Sequence, residues 1–249
     1  MKSLNSIMLA VLLLSGVSTL KAQSVDEVMD KHLKAIGSKE AWNNIKSLKM
    51  DGGMSVQGMD VGVVQTMIPG KAMRTDISVM GMNGFTIITK TQGWMYMPFQ
   101  PGGNKIDTMK PEMVKAAQEQ MDLKAKQMFD YKTDGSKTAY LGTDTINKIL
   151  CYRIKFTDKD ANETTCFFDT KNYYLLRTES KVKVEEQEQE VAMAFDNYKT
   201  LDGGVVMPMT ISTPQGDITF KSIEINKPID ESIFKPVIPA AAKESEPKK

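Results

Sequence analysis

Residues 175–185 read Leu175-Leu176-Arg177-Thr178-Glu179-Ser180-Lys181-Val182-Lys183-Val184-Glu185. Arg177, Glu179, Lys181, Lys183 and Glu185 alternate with Leu176, Thr178, Ser180, Val182 and Val184. A period of two puts one set on each face of a strand, one face wet and one covered, as in an antiparallel sheet. The pattern extends in both directions. Downstream, Asp202-Gly203-Gly204 and Thr213-Pro214-Gln215-Gly216 supply further hairpins to about residue 225, and upstream the stretch begins near 137. A second β stretch lies between Ile45 and Phe99. There Gly58-Met59-Asp60, Pro69-Gly70, Gly81-Met82-Asn83-Gly84 and Gln92-Gly93 are turn chemistry. Strands are predicted over 45–57, 60–68, 71–80, 84–91 and 93–99, with Pro101-Gly102-Gly103-Asn104 as a loop.

Helices flank these stretches. Ser24 with Glu27 three residues later is a capping box. Val25, Val28, Met29, His32, Leu33 and Ile36 follow at helical spacing, and Gly37 stops the run. A short second helix is predicted from Ser38 through Trp42 to about Asn44. Pro111 suits a first helical turn, and Met113, Val114, Ala117, Met121, Ala125 and Met128 mark one apolar face reaching about residue 129. No linker is long enough to divide the chain. The expected fold is therefore mainly β: a single domain over 23–238, built from one long, highly curved antiparallel sheet with an N-terminal and a mid-chain helix. Residues 239–249 carry no apolar pattern and read as a flexible tail.

The composition narrows the function classes. The chain has 249 residues, 32 Lys+Arg against 31 Asp+Glu, one histidine and two cysteines. A formal charge of +1 argues against a nucleic-acid partner, which needs a strong basic excess. One histidine removes most zinc sites and every Ser-His or Cys-His mechanism that does not run through His32. P-loop, dinucleotide, CxxC and H-E-x-x-H signatures are lacking, so neither a cofactor nor a metal is expected. Residues 1–22 form a signal peptide: Lys2, the apolar run 7–14, and Ala22 before the cut at Gln23. That run is too short for a bilayer core of roughly 30 Å. The mature chain is then exported, near-neutral and unlipidated at residue 23.

In an exported chain Cys151 and Cys166 could form a disulfide. A turn centred near Asp160 leaves them on one sheet face but about 13 Å out of register, too far for a bridge, whereas a tight turn at Asp158-Lys159 sets them opposite each other. Two free buried thiols are the other reading. Methionine is over-represented, with 19 in the chain. The pairs Met80/Met82, Met95/Met97 and Met207/Met209 each share a sheet face. Core filling, an adaptable ligand surface and Cu(I) binding are all compatible with that spacing. His32 sits on the apolar face of the first helix, where packing competes with a catalytic role. The stretch Glu185 to Glu190 reads as a solvated hairpin tip.

Taken in order, several pieces resemble a known family. They are Lys34-Ala35-Ile36-Gly37, Ile45-Lys46-Ser47, Pro69-Gly70-Lys71-Ala72-Met73-Arg74, Gly93-Trp94-Met95-Tyr96-Met97-Pro98, Phe168-Asp169, Leu175-Leu176, Gly204-Val205-Val206-Met207-Pro208 and Ile229-Asp230-Glu231-Ser232-Ile233-Phe234. The series is similar to the outer-membrane lipoprotein-sorting, or periplasmic lipoprotein carrier (LolA-like), family in its divergent Bacteroidetes-type branch. It spans about 25 to 236. The resemblance implies a half-open β-barrel under a helical lid, a periplasmic location, an acylated lipoprotein or lipid as cargo, and inner- and outer-membrane transfer proteins as partners. It also implies that Arg74 latches the lid, against an exposed strand arginine as the plain reading. Thr75 stands where such carriers often have an aromatic residue.

The expectation is a monomeric, non-enzymatic carrier. Its groove is assigned to Met80, Met82, Met95, Met97 and Phe99, its lid to Met113, Val114, Ala117 and Met121, and its latch to Arg74. The alternative is a cell-envelope protein-interaction module with a filled concavity, and Cu(I) binding through the Met pairs is a third reading.

Overall fold

Ser24 Oγ accepts the backbone N–H of Glu27 at 3.1 Å, so the capping box starts helix α1 (Val25–Ala35) as the sequence predicts. Ser38 caps α2 (Lys39–Asn43) in the same way through the Ala41 N–H at 3.1 Å. Between them Gly37 has φ +104°, and a Cβ there would lie 2.6 Å from the Gly204 carbonyl oxygen. Only glycine allows the chain to turn this close to the sheet. These features belong to a computed structural model, which describes residues 24–56, 58–119, 121–123, 128–184 and 187–238. Residues 1–22, expected to be a signal peptide, residues 239–249, expected to be a tail, and residues 185–186 of the expected hairpin tip lie outside the described residues.

The rest is one antiparallel sheet of thirteen strands. The first meander comprises β1 (Leu48–Val56), β2 (Met59–Ile68), β3 (Ala72–Val79), β4 (Met82–Thr89), β5 (Gly93–Tyr96) and the short β6 (Asp107–Thr108). Helix α3 (Pro111–Glu119) follows. The second meander is β7 (Lys137–Ile146), β8 (Ile149–Thr157), β9 (Glu163–Asp169), β10 (Leu175–Val184), β11 (Gln187–Thr200), β12 (Val206–Thr213) and β13 (Gly216–Ile225). Pairing of β1 with β13 joins the two meanders, and β6 and β7 are the two edges, so the sheet stays open. Asn226 fastens that seam: its Oδ1 accepts the Lys46 N–H at 2.6 Å, and its Nδ2 donates to the Asn44 carbonyl at 2.9 Å.

Each face buries its own apolar set. On the inner face, Leu48, Met67, Met73, Ile88 and Ile225 pack beneath Ile36, Trp42 and Val114. Farther along that face, Ile154, Phe156, Cys166 and Phe168 pack beneath Val28 and Met29 of α1. On the outer face of the first meander, Ala72, Phe85, Ile87 and Tyr96 are covered by Phe234, from the 3-10 turn Glu231–Phe234.

Three local expectations are corrected. The helix from Pro111 ends as a regular element at Glu119 and does not run on to residue 129; Met121 lies in a turn and Met128 has φ +56°. A bulge between Leu175 and Arg177 puts Leu175, not Leu176, opposite Phe168 on the covered face, and alternation resumes at Thr178, which pairs with Cys166. The β8–β9 register pairs Cys151 with Asp169 and Ile154 with Cys166. The cysteines are thus an odd number of positions out of step and stand on opposite faces, both free and buried. No bridge spans a strand from face to face.

Candidate functional site

A cavity of about 590 Å³ lies between the inner face and the segments that cross it. Its floor crosses the β1–β13 seam. Met50 and Gln65 come from one side, and Thr178, Met193, Phe195, Ile211 and Phe220 from the other. Strand alternation selects these residues: Thr178 is opposite Met193, Phe195 is opposite Ile211, and Phe220 is opposite Gly52. Gly52 sits at a register shift between Asp51 and Gly52, and a Cβ there would press on the Phe220 ring at 3.1 Å. The tightest approach of such a Cβ is to backbone, at the Thr219 carbonyl oxygen, so the glycine lets β1 and β13 pair closely beside Phe220.

The roof is built from His32 of α1 and Ile36 at its C-cap, Trp42 of α2, and Leu123, Met128 and Tyr131 from the segment before β7. Side-chain bonds hold it in place. Trp42 Nε1 donates to the Ile36 carbonyl at 3.0 Å, and Tyr131 Oη donates to Asp26 at 2.7 Å. Lys39 forms an ion pair with Asp130, and Lys132 one with Asp26 at 3.2 Å. Burial first, then the Asp26 bond, push the Tyr131 phenol up, so it remains a donor. Exposed Asp134 and Asp158 stand at the rim. The Asp158 carboxyl is held low chiefly by hydrogen bonds from Asn162.

The lining is apolar in the main, with methionine at Met50, Met67, Met128, Met193 and Met207. Unbranched thioethers refill irregular space as an occupant changes shape. His32 is the buried polar exception: it is 1% exposed, Nδ1 is 2.8 Å from the Tyr173 carbonyl oxygen, and its ring is 4.8 Å from that of Phe168. Burial lowers its pKa to about 4, so the ring is neutral at physiological pH. Among the described residues, no three His, Cys, Asp or Glu side chains group as metal ligands.

The residues assigned to the groove from sequence lie elsewhere. Met80 is 77% exposed at the β3–β4 turn, with Met82 beside it on the surface. Met97 is buried, with its Sδ close to Gly84, and Met95 and Phe99 are half-buried near the same edge. None of these five lines the cavity. Among the lid residues, Val114 and Met121 are buried and Ala117 packs against them, while Met113 is exposed. Helix α3 seals the β4–β5 end, where Gln118 Nε2 donates to the Thr89 carbonyl at 2.9 Å. Met121 and Gln118 border a second, smaller cavity of about 340 Å³.

Arg74 grips the opposite side of the sheet. Its Nε and Nη2 bind the Asp76 carboxylate at 2.9 and 2.6 Å, its Nη1 donates to the Ile233 carbonyl at 2.8 Å, and its guanidinium stacks 4.6 Å from the Phe85 ring centre. It ties down the C-terminal 3-10 turn rather than the helices. The alternation of 175–185 already placed Thr178 on the covered face. Its neighbours Met193, Ile211 and Phe220 required the order of the strands.

An open antiparallel sheet with its inner face roofed by short helices defines a class of fold. No protein-family model matches the chain, and no curated protein matches it in sequence. Solved structures match it in shape. A DUF1329 family protein from Desulfovibrio piger has 11% identity and a TM-score of 0.55, over 85% of this chain and 97% of that one. A domain described as an outer membrane lipoprotein-sorting protein, from Vibrio parahaemolyticus, has 12% identity and a TM-score of 0.50, over 84% and 94%. A LolA superfamily protein from Nitrosomonas europaea has 10% identity and a TM-score of 0.50, over 84% and 96%. The chain has the LolA-like open-barrel fold.

Proposed function

We propose that this protein is a periplasmic carrier that shields acyl chains, of a lipoprotein or of a free lipid, between the membranes of the cell envelope. One observation carries the reading: an apolar, methionine-rich cavity of about 590 Å³ beneath the helices of a LolA-like sheet. That volume is in the range of sites for small ligands, roughly 300–1,000 Å³. Each methylene withdrawn from water contributes about 0.8 kcal/mol, so even part of an acyl chain is held without covalent chemistry. The exposed acids at the rim leave a headgroup in water. Export would rest on the signal segment 1–22, the working unit would be residues 23–238 acting as a monomer, and donor and acceptor proteins of the two membranes would be its partners.

The cavity also weighs against the alternative of an interaction module, whose concavity would be filled by its own side chains. Native mass spectrometry of the mature protein, purified from its own envelope and followed by solvent extraction, tests the reading. A co-purifying acylated species near unit stoichiometry supports it. A protein that stays unliganded after incubation with lipopeptide and fatty acid overturns it.

A further inference from the structure

We propose that the ligand of the main cavity carries one hydrogen-bond donor, a hydroxyl or an amide N–H, at the edge of its hydrocarbon part, and that the donor is received by His32 Nε2. The inference rests on the carrier reading and specifies its ligand class. His32 lines the cavity roof at 1% exposure. The Tyr173 carbonyl can only accept, so the 2.8 Å contact puts the ring proton on Nδ1. Nε2 is then a bare acceptor, on the side of the ring away from Tyr173. It is buried and, among the described residues, has no hydrogen-bond partner.

A buried acceptor without a donor is rare, and each one calls for an explanation. Three of the cavity's strongest donors are engaged elsewhere. Tyr131 Oη donates to Asp26 at 2.7 Å, Tyr198 Oη to the Leu175 carbonyl at 2.6 Å, and Trp42 Nε1 to the Ile36 carbonyl at 3.0 Å. Phe168 fills one flank of the imidazole with hydrocarbon. Burial keeps the ring neutral, with a pKa of about 4, so Nε2 stays an acceptor at neutral pH. A purely hydrocarbon ligand would leave it unsatisfied, whereas an acyl amide or a hydroxylated chain would complete it. Sites built around a buried polar group discriminate strongly for the ligand that pairs with it.

The chain has one histidine, so a long-range proton–nitrogen spectrum of the wild-type protein reads this ring without assignment. The probes are cetyl alcohol, palmitamide and cetyl methyl ether, which match in chain length and differ in the donor. The expected result is an upfield move of the Nε2 resonance with the alcohol or the amide and none with the ether. Binding of the donor probe is expected to be about tenfold tighter than that of the ether, a preference lost in His32→Phe. A response to the amide alone assigns an acyl amide, and one to the alcohol alone a hydroxylated chain; either supports the proposal. Equal affinity of all three, or an Nε2 resonance already hydrogen-bonded in the free protein and unmoved by any probe, overturns it while leaving a carrier. Failure of every probe to bind overturns the carrier reading itself.

Discussion

Arg74 Nη1 donates to the carbonyl of Ile233 at 2.8 Å, and this bond joins the middle of β3 to the 3-10 turn Glu231–Phe234. The guanidinium also holds Asp76 and covers Phe85, so one side chain fastens the outer face. Replacing it with leucine removes charged hydrogen bonds from a largely buried site, a loss of about 1.5–3 kcal/mol. Arg74→Leu is therefore expected to lower the urea midpoint while acyl-probe uptake stays as in the wild type. A selective loss of uptake at unchanged stability would return Arg74 to the role of lid latch.

The floor of the cavity offers a sharper contrast. Thr178 faces Met193 across the β10–β11 pair and lines the cavity. Thr178→Trp places an indole in that space and is expected to reduce binding of a fluorescent fatty acid by about tenfold or more. Met82→Lys alters an exposed residue outside the cavity and is expected to leave binding unchanged. If Met82→Lys abolished binding and Thr178→Trp did not, the ligand would have to lie at the β3–β4 end.

Histidine burial gives stability a pH dependence. The His32 pKa falls from 6.5 to about 4 because burial disfavours the charged ring. The unfolded chain therefore binds the proton more readily, and stability falls as pH drops through 6.5 towards 4. Between pH 7 and pH 5 the loss from this group amounts to about 2 kcal/mol. His32→Gln cannot take up that proton and is expected to flatten the slope in chemical denaturation curves across the same interval. An unaltered slope would mean that His32 is not buried neutral.

The thiols give a chemical check on the β8–β9 register. Cys151 and Cys166 are free and on opposite faces, and burial pushes the Cys166 thiol up to about 12. Iodoacetamide is expected to leave both untouched in the native protein and to label both in urea without prior reduction. A mass two hydrogens lighter than the reduced chain would show a disulfide and refute this register.

Gly37 makes a fifth test. Alanine there meets the Gly204 carbonyl and a φ of +104° together, a strain of about 1–3 kcal/mol. Gly37→Ala is expected to lower the thermal midpoint and, because α1 and α2 roof the cavity, to weaken probe binding as well.

Much of this architecture was legible in the residues. Turn dipeptides placed five strands between residues 45 and 99 close to their observed limits, since Gly58, Gly70 and Gly81 all adopt positive φ. Ser24 and Ser38 announced their helices for a similar local reason. Location of the cavity was not local information. Met80 and Met82 do flank a turn, yet a hairpin tip is where methionine is most exposed. The floor residues Met50, Phe220, Ile211 and Met193 are far apart in sequence and meet only through the β1–β13 pairing. The cysteine pair shows the same limit at finer scale, because one residue of register moves a side chain to the other face. The Leu175–Arg177 bulge did this to Leu176 without any turn signal.

The seam between β1 and β13 has a consequence for how the molecule comes into being. All other neighbours in the sheet are consecutive in the chain, so either meander can zip up by short loop closures as it is synthesised. The central pairing closes a loop of almost the whole domain and must wait for the final strand. Until then the two meanders are half-shells whose apolar interiors have no shared wall, and the cavity does not exist. A chain cut short before residue 216 would still form hairpins, but they would enclose no cavity.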